Sequence, residues 1–286
     1  MSAHTTDETA VELTVPSGTI AGLRWGSAAP DTALVLCLPG LSQDARSYDP
    51  LARALGSDRR QVVALSPRGR GDSDTTPPGT YGWEAHARDV LDAATAMGRD
   101  QFDLIGWSFG GLVSLQLAAL AGERIRKLVL IDVAGRPDPT SLGPVVAGLE
   151  RLGATFATAG EYVERVLSGG AMTGCDAPWR AYLSGDLVAR DGTFTTRTSR
   201  EAVLEDAAFG ATHDPYALWS SLSMPVLLVR AADEILPGLG HIVPAHDRDR
   251  FAAEVAHCRV VDIAANHFCI GMVPAAAAAI RTFLDA

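Results

Sequence analysis

The sequence predicts an α/β protein: a doubly wound, mostly parallel eight-stranded sheet, with a helical cap inserted after the sixth strand. Three observations predict it. Short runs such as Leu34–Leu38 (LVLCL), Val62–Leu65 (VVAL), Leu128–Ile131 (LVLI) and Val226–Val229 (VLLV) are continuously apolar, the pattern of strands covered on both faces. Segments of helical period lie between them, and a β-α-β-α alternation builds a parallel sheet. One long stretch, 135–222, carries helical patterns but no strand run, too long for a structureless loop.

The predicted strands are Val11–Val15, Thr19–Trp25, Ala33–Leu38, Gln61–Leu65, Phe102–Gly106, Lys127–Ile131, Val226–Val229 and Arg259–Ile263. Only Pro16-Ser17-Gly18 separates the first two, so they form an antiparallel hairpin at one edge. Helices are predicted over Tyr48–Leu55, Trp83–Met97, Phe109–Ala121, Pro244–Ala256 and Val273–Leu284. The inserted stretch holds four more, at Leu142–Leu152, Ala159–Leu167, Pro178–Val188 and Thr198–Ala207. Residues 1–134 and 223–286 then form the sheet core, and 135–222 a helical cap.

Composition narrows the function. With 286 residues, 47% hydrophobic and 20% charged, the chain can bury a sizeable core. A net charge of −10 argues against a polyanion-binding surface. Residues 1–10 are polar with no Lys or Arg, no apolar run reaches membrane-spanning length, and the four cysteines lack metal-finger or C-x-x-C spacing. The expectation is a cytoplasmic protein with reduced thiols, Cys37 and Cys258 serving as small core residues, no membrane or nucleic-acid partner, and a monomeric or homodimeric state.

The chemistry centres on Gly106-Trp107-Ser108-Phe109-Gly110, directly after one strand and directly before a helix. G-x-S-x-G in that context is a nucleophile elbow, a strained turn that holds the serine hydroxyl above the sheet. A serine needs a base. Of seven histidines, His267 follows the last strand, where the order Ser…acid…His places it. His4, His86, His213, His241, His246 and His257 fit that role less well, and none has metal-ligand spacing. The orienting acid is expected at Asp233, after the seventh strand, with Asp132 and Glu234 as alternatives. Oxyanion donors are expected from the backbone N–H of Phe109 and of Leu41, in the turn Leu38-Pro39-Gly40-Leu41-Ser42. Trp107 and Trp179 are the expected pocket walls, with Phe156, Tyr162, Met172, Tyr182, Phe194 and Trp219 as further apolar cap residues.

Together these residues resemble the α/β-hydrolase superfamily in its cap-bearing form, from about Leu34 to the C-terminus. Ser66-Pro67-Arg68-Gly69-Arg70-Gly71-Asp72-Ser73 is similar to its D-x-R-G-x-G-x-S segment, with Ser66 in place of the first Asp, and Pro39 stands where many relatives carry His. Relatives that open epoxides or remove halogen carry Asp as nucleophile; Ser108 points away from those reactions. The resemblance implies a cofactor-free serine hydrolase of a small to medium hydrophobic ester or lactone. It leaves two alternatives, a carbon–carbon bond hydrolase of ring-fission type and a non-catalytic ligand-binding member of the fold.

Overall fold

The computed structural model describes residues 8–286; His4 and the first seven residues lie outside the described part. Eight strands form one sheet: β1 (Thr9–Val15), β2 (Gly18–Trp25), β3 (Ala33–Leu38), β4 (Arg60–Leu65), β5 (Phe102–Trp107), β6 (Ile125–Ile131), β9 (Val226–Ala231) and β10 (Cys258–Ile263). Their order is β1-β2-β4-β3-β5-β6-β9-β10. β2 pairs antiparallel with β1 and β4, and every other neighbouring pair is parallel.

Side chains alternate between two buried clusters, which explains the unbroken apolar runs. Leu34, Leu36 and Leu38 of β3 join one face with Leu104, Leu128, Leu130 and Leu228. Val35 and Cys37 of the same strand join the other with Ile105, Val129, Ile131 and Val229. α2 (Trp83–Ala96), α3 (Phe109–Ala121) and α8 (Ala245–Glu254) cover the first face; α1 (Asp49–Leu55) and α9 (Pro274–Asp285) cover the second. In the central strands neither face meets water, so neither needs the polar alternation of a half-solvated strand.

The parallel register brings the strand ends to one edge. Leu38 pairs with Gly106, Trp107 with Ile131, Ile131 with Val229 and Ala231 with Ile263. The turns after β3, β5, β6 and β10 therefore share the carboxyl edge of the sheet, where open α/β sheets place their ligands.

Between β6 and β9 lie α4 (Leu142–Leu149), α5 (Ala159–Leu167), α6 (Asp176–Gly185) and α7 (Arg200–Thr212). The expectation of a strand-free insertion is corrected by a small hairpin, β7 (Leu187–Arg190) with β8 (Thr193–Thr196). Its turn is Asp191-Gly192, both at positive φ (48° and 78°), the backbone that Asp-Gly adopts in two-residue hairpins. That dipeptide between two short runs was the sequence signal for it.

A second correction concerns the thiols. Cys175 of the insertion and Cys269 of the core are joined in a disulfide across 94 residues of sequence, while Cys37 and Cys258 are free. No local spacing reveals such a pair, because only the folded insertion brings the two together.

Candidate active site

Ser108 occupies the tight turn between β5 and α3 with φ 54° and ψ −118°, a backbone conformation that a non-glycine residue adopts only where its surroundings enforce it. Ser108 N–H donates to Ile131 O at 3.0 Å and Ser108 O accepts from Gly111 N at 2.8 Å. The neighbouring glycines are required for space: a Cβ on Gly110 would stand 2.0 Å from Leu38 O, and one on Gly111 2.1 Å from a Val133 methyl. The turn thus rises directly between β3 and β6.

Asp132 follows β6 with φ 47° and is wholly buried, at 0% exposure. Its N–H donates to Val229 O at 2.7 Å. One carboxylate oxygen accepts the Ala231 N–H at 3.0 Å, and the other lies 2.8 Å from His267 Nδ1. The acid on His267 is therefore Asp132, correcting the expectation of Asp233. The reason is strand order: β6 lies beside β5, one strand from Ser108, and its end points into the edge. Asp233 is exposed, with its backbone N–H on Ala265 O, and Glu234 turns away to accept the Gly238 N–H.

His267 is also buried and lines one cavity with Ser108. Among the described residues the Ser108 hydroxyl has no hydrogen-bond partner; in ligand-free sites this contact is often long and tightens with substrate. Three ties fix the His267 loop to the insertion. Trp179 Nε1 donates to Phe268 O at 2.9 Å, Asn266 Nδ2 donates to Ala171 O at 2.8 Å, and the disulfide joins Cys269 to Cys175.

The Leu41 and Phe109 amides, expected as oxyanion donors, have no acceptor among the described residues. Gly40 N–H, by contrast, is taken by Gln43 Oε1 at 3.2 Å. A fully buried arginine of the Ser66–Ser73 segment, given no role in the site by the sequence, braces this turn. Arg70 donates to Leu41 O from Nε at 3.2 Å and Nη2 at 3.1 Å, and its guanidinium lies 5.7 Å from the Phe109 ring centre. Asp206 of α7 pairs with Arg70 at 2.6 Å and also accepts from Gly82 N–H at 2.7 Å, with His86 Nε2 at 2.9 Å. Burial alone would raise the Asp206 carboxyl, but its hydrogen bond to His86 and the Arg70 charge hold it below the usual carboxylate range. Burial also pushes the His86 imidazole below its ordinary value. Arg70 sits at an unspecified position of the Ser66–Ser73 segment, so only its burial could mark it.

A second polar cluster links the insertion to the same turn. Arg151 donates to Gly148 O at 2.7 Å, to Tyr162 Oη at 3.0 Å and to Ser42 O at 3.3 Å. Tyr162 in turn donates to Asp186 at 2.9 Å. Burial, opposed by Arg151 and reinforced by Asp44, pushes the Asp186 carboxyl up to about 7.

Trp107 and Trp179 both line the cavity of Ser108 and His267, as does Met172. The remaining expected cap residues do not line that cavity: Phe156 packs against Tyr162 and bridges to Phe194, Tyr182 packs against Trp179, and Trp219 against Phe251. Among the described residues no group of three or more His, Cys, Asp or Glu could hold a metal ion, and no helix is long and apolar enough to cross a membrane.

A family model described as the alpha/beta hydrolase fold matches residues 33–270. The chain belongs to the α/β-hydrolase family. Among curated relatives it is 29% identical over 232 residues to a 3-hydroxybutyrate-oligomer hydrolase of Cupriavidus necator, covering 74% of this chain and 76% of that one. It is 31% identical over 119 residues to an esterase of Mycobacterium tuberculosis, covering 42% of this chain and only 38% of the relative. The match thus spans well under half the length of that esterase. The solved structure of E-2-(acetamidomethylene)succinate hydrolase superposes with a TM-score of 0.86 over 98% of this chain and 100% of its own, at 22% identity. That likeness concerns the fold.

Proposed function

We propose that this hydrolase cleaves carboxylic esters or lactones through an acyl-enzyme on Ser108. The observation that carries the reading is the 2.8 Å contact between His267 Nδ1 and buried Asp132, at the cavity that Ser108 lines. A carboxylate there holds the tautomer with the proton on Nδ1, leaving Nε2 free to act as base, and stabilises the imidazolium that follows.

In the proposed course Ser108 Oγ attacks the carbonyl carbon while His267 Nε2 takes its proton. The carbonyl π pair moves onto oxygen, where the N–H groups of Leu41 and Phe109 stabilise it. Collapse breaks the bond to the alcohol oxygen, which leaves with the proton from His267. Water, deprotonated by His267, then attacks the acyl-enzyme and releases the acid. Apart from substrate and water, every group in this course belongs to the chain. The apolar walls around Ser108 support a hydrophobic substrate of small to medium size.

The test is an ester and lactone panel run on wild type and Ser108→Ala in parallel. Turnover that falls on the order of 10⁶-fold in the variant, with an acyl adduct on Ser108 by mass spectrometry, supports the reading. Turnover unchanged in Ser108→Ala overturns it.

A further inference from the structure

Ser108 borders two cavities of unequal size. The larger, about 450 Å³, is walled by Trp83, Leu112, Val133 and Ile242 from the core and by Leu142 and Val146 of α4. The smaller, about 80 Å³, is bordered by His267, Gln43 and Arg151 beside Trp107 and Trp179. His267 lines the smaller cavity; it is not among the residues that line the larger. Leu41, which carries one proposed oxyanion donor, touches both.

From this asymmetry we propose that the larger cavity takes the acyl group and the smaller one the leaving group, so that the preferred substrates join a bulky apolar acid to a small alcohol. The inference rests on the serine-hydrolase reading above. Its logic is proton transfer. The proton that His267 removes from Ser108 must reach the departing oxygen, so that oxygen has to come within hydrogen-bond reach of Nε2. The leaving group is therefore confined to the His267 side. The remaining substituent on the carbonyl carbon extends from Ser108 in the other direction, past Leu41 and Phe109, into the larger space.

The two volumes then set the substrate. The smaller has room for a handful of heavy atoms, whereas the larger falls in the range of cavities that hold drug-sized ligands. The walls agree with the assignment. No residue of α4 is buried against protein, and Val146 is 59% exposed. Yet Leu142, Val145, Val146 and Leu149 form an i, i+3, i+4, i+7 stripe, and all four line the larger cavity, with Val145 and Leu149 at its border with the smaller one. Such a stripe is the core-facing side of a helix, and here the surface it faces is the cavity. A hydrocarbon acyl chain is the chemistry that covers it. The smaller cavity adds Gln43 and Arg151 to walls that are otherwise mostly apolar, Trp107, Met172, Trp179 and Leu183 among them, so size rather than polarity confines the leaving group.

The experiment compares two isomeric esters, methyl nonanoate and octyl acetate, which carry the same atoms with the long chain on opposite sides of the carbonyl. Labelling of Ser108 with diisopropyl fluorophosphate runs alongside as a check of the nucleophile. The expected kcat/KM for methyl nonanoate is at least about tenfold that for octyl acetate, and along the methyl ester series each added methylene raises it by up to about fourfold until the cavity is full. Leu142→Trp, which narrows the larger cavity, moves the preferred acyl chain to a shorter length. Equal turnover of the isomers, a preference for octyl acetate, or an unchanged acyl-length optimum in Leu142→Trp overturns the assignment. Turnover of neither isomer by a chain whose Ser108 is labelled also overturns the assignment and leaves the serine-hydrolase reading in place. No turnover together with no labelling of Ser108 overturns both.

Discussion

Asp206→Asn tests whether the insertion sets the geometry of the oxyanion turn. Asp206, on α7, is the carboxylate partner of Arg70, whose side chain has 0% exposure. Arg70 in turn holds Leu41 O with two N–H groups. Removing the carboxylate charge leaves the guanidinium buried among neutral acceptors only, Leu41 O, Arg68 O and the amide oxygen of the substituted side chain. Breaking one side of a buried pair costs about 3–5 kcal/mol. At about 2 °C per kcal/mol for a chain of this length, Tm should fall roughly 6–10 °C. If the freed guanidinium lets the turn shift, kcat should fall about 10- to 100-fold, short of the 10²–10³ that follows outright loss of an oxyanion donor, while KM changes little. Asp89→Asn is the control, because Asp89 pairs with buried Arg68 at 2.6 Å and makes no contact with Leu41. Thermal melting and ester kinetics on both variants separate the outcomes. A loss of Tm in both with kcat retained in both would refute the positioning role and leave Asp206 a purely structural partner.

Two further outcomes follow from the ties between insertion and core. The Cys175–Cys269 bond closes a loop of 94 residues, so the Cys175→Ser, Cys269→Ser double variant should lose about 4–5 kcal/mol in the chain-entropy account. Urea unfolding with and without reductant checks it: reductant should destabilise wild type and leave the variant unchanged. Asp186 gives a pH dependence. Its carboxyl is raised from 3.8 to about 7 in the fold, so its contribution is full below about pH 4 and is lost as pH climbs through 7. Wild type should therefore lose stability, by on the order of 4 kcal/mol at most, across that window, and Asp186→Asn should flatten the curve in denaturant melts.

The sheet was legible because its physics is local. A strand covered on both faces must be apolar at every position, and LVLCL or VLLV satisfies that in a handful of residues. The elbow was legible for a similar reason, since Gly110 and Gly111 have no room for a side chain. The orienting acid was not, because chain order suggests Asp233 whereas strand order decides for Asp132: β6 comes between β5 and β9. The β7–β8 hairpin is four residues a side and only partly buried, so its run was too weak to read even with Asp191-Gly192 at the turn. Arg70 stood in a recognised segment as one charged residue among several; its burial, and the Asp206 partner 136 residues away, exist only in the fold. The disulfide was hidden for the same reason.

The most direct test of the Ser108–His267–Asp132 account is kcat/KM for Asp132→Asn and Asp233→Asn, measured side by side on an ester that the wild type cleaves. The account predicts a loss on the order of 10⁴-fold in Asp132→Asn, where the imidazole loses the carboxylate that fixes its tautomer, and a change within about twofold in Asp233→Asn, whose side chain faces solvent. A small effect at Asp132 with a large one at Asp233 would contradict it.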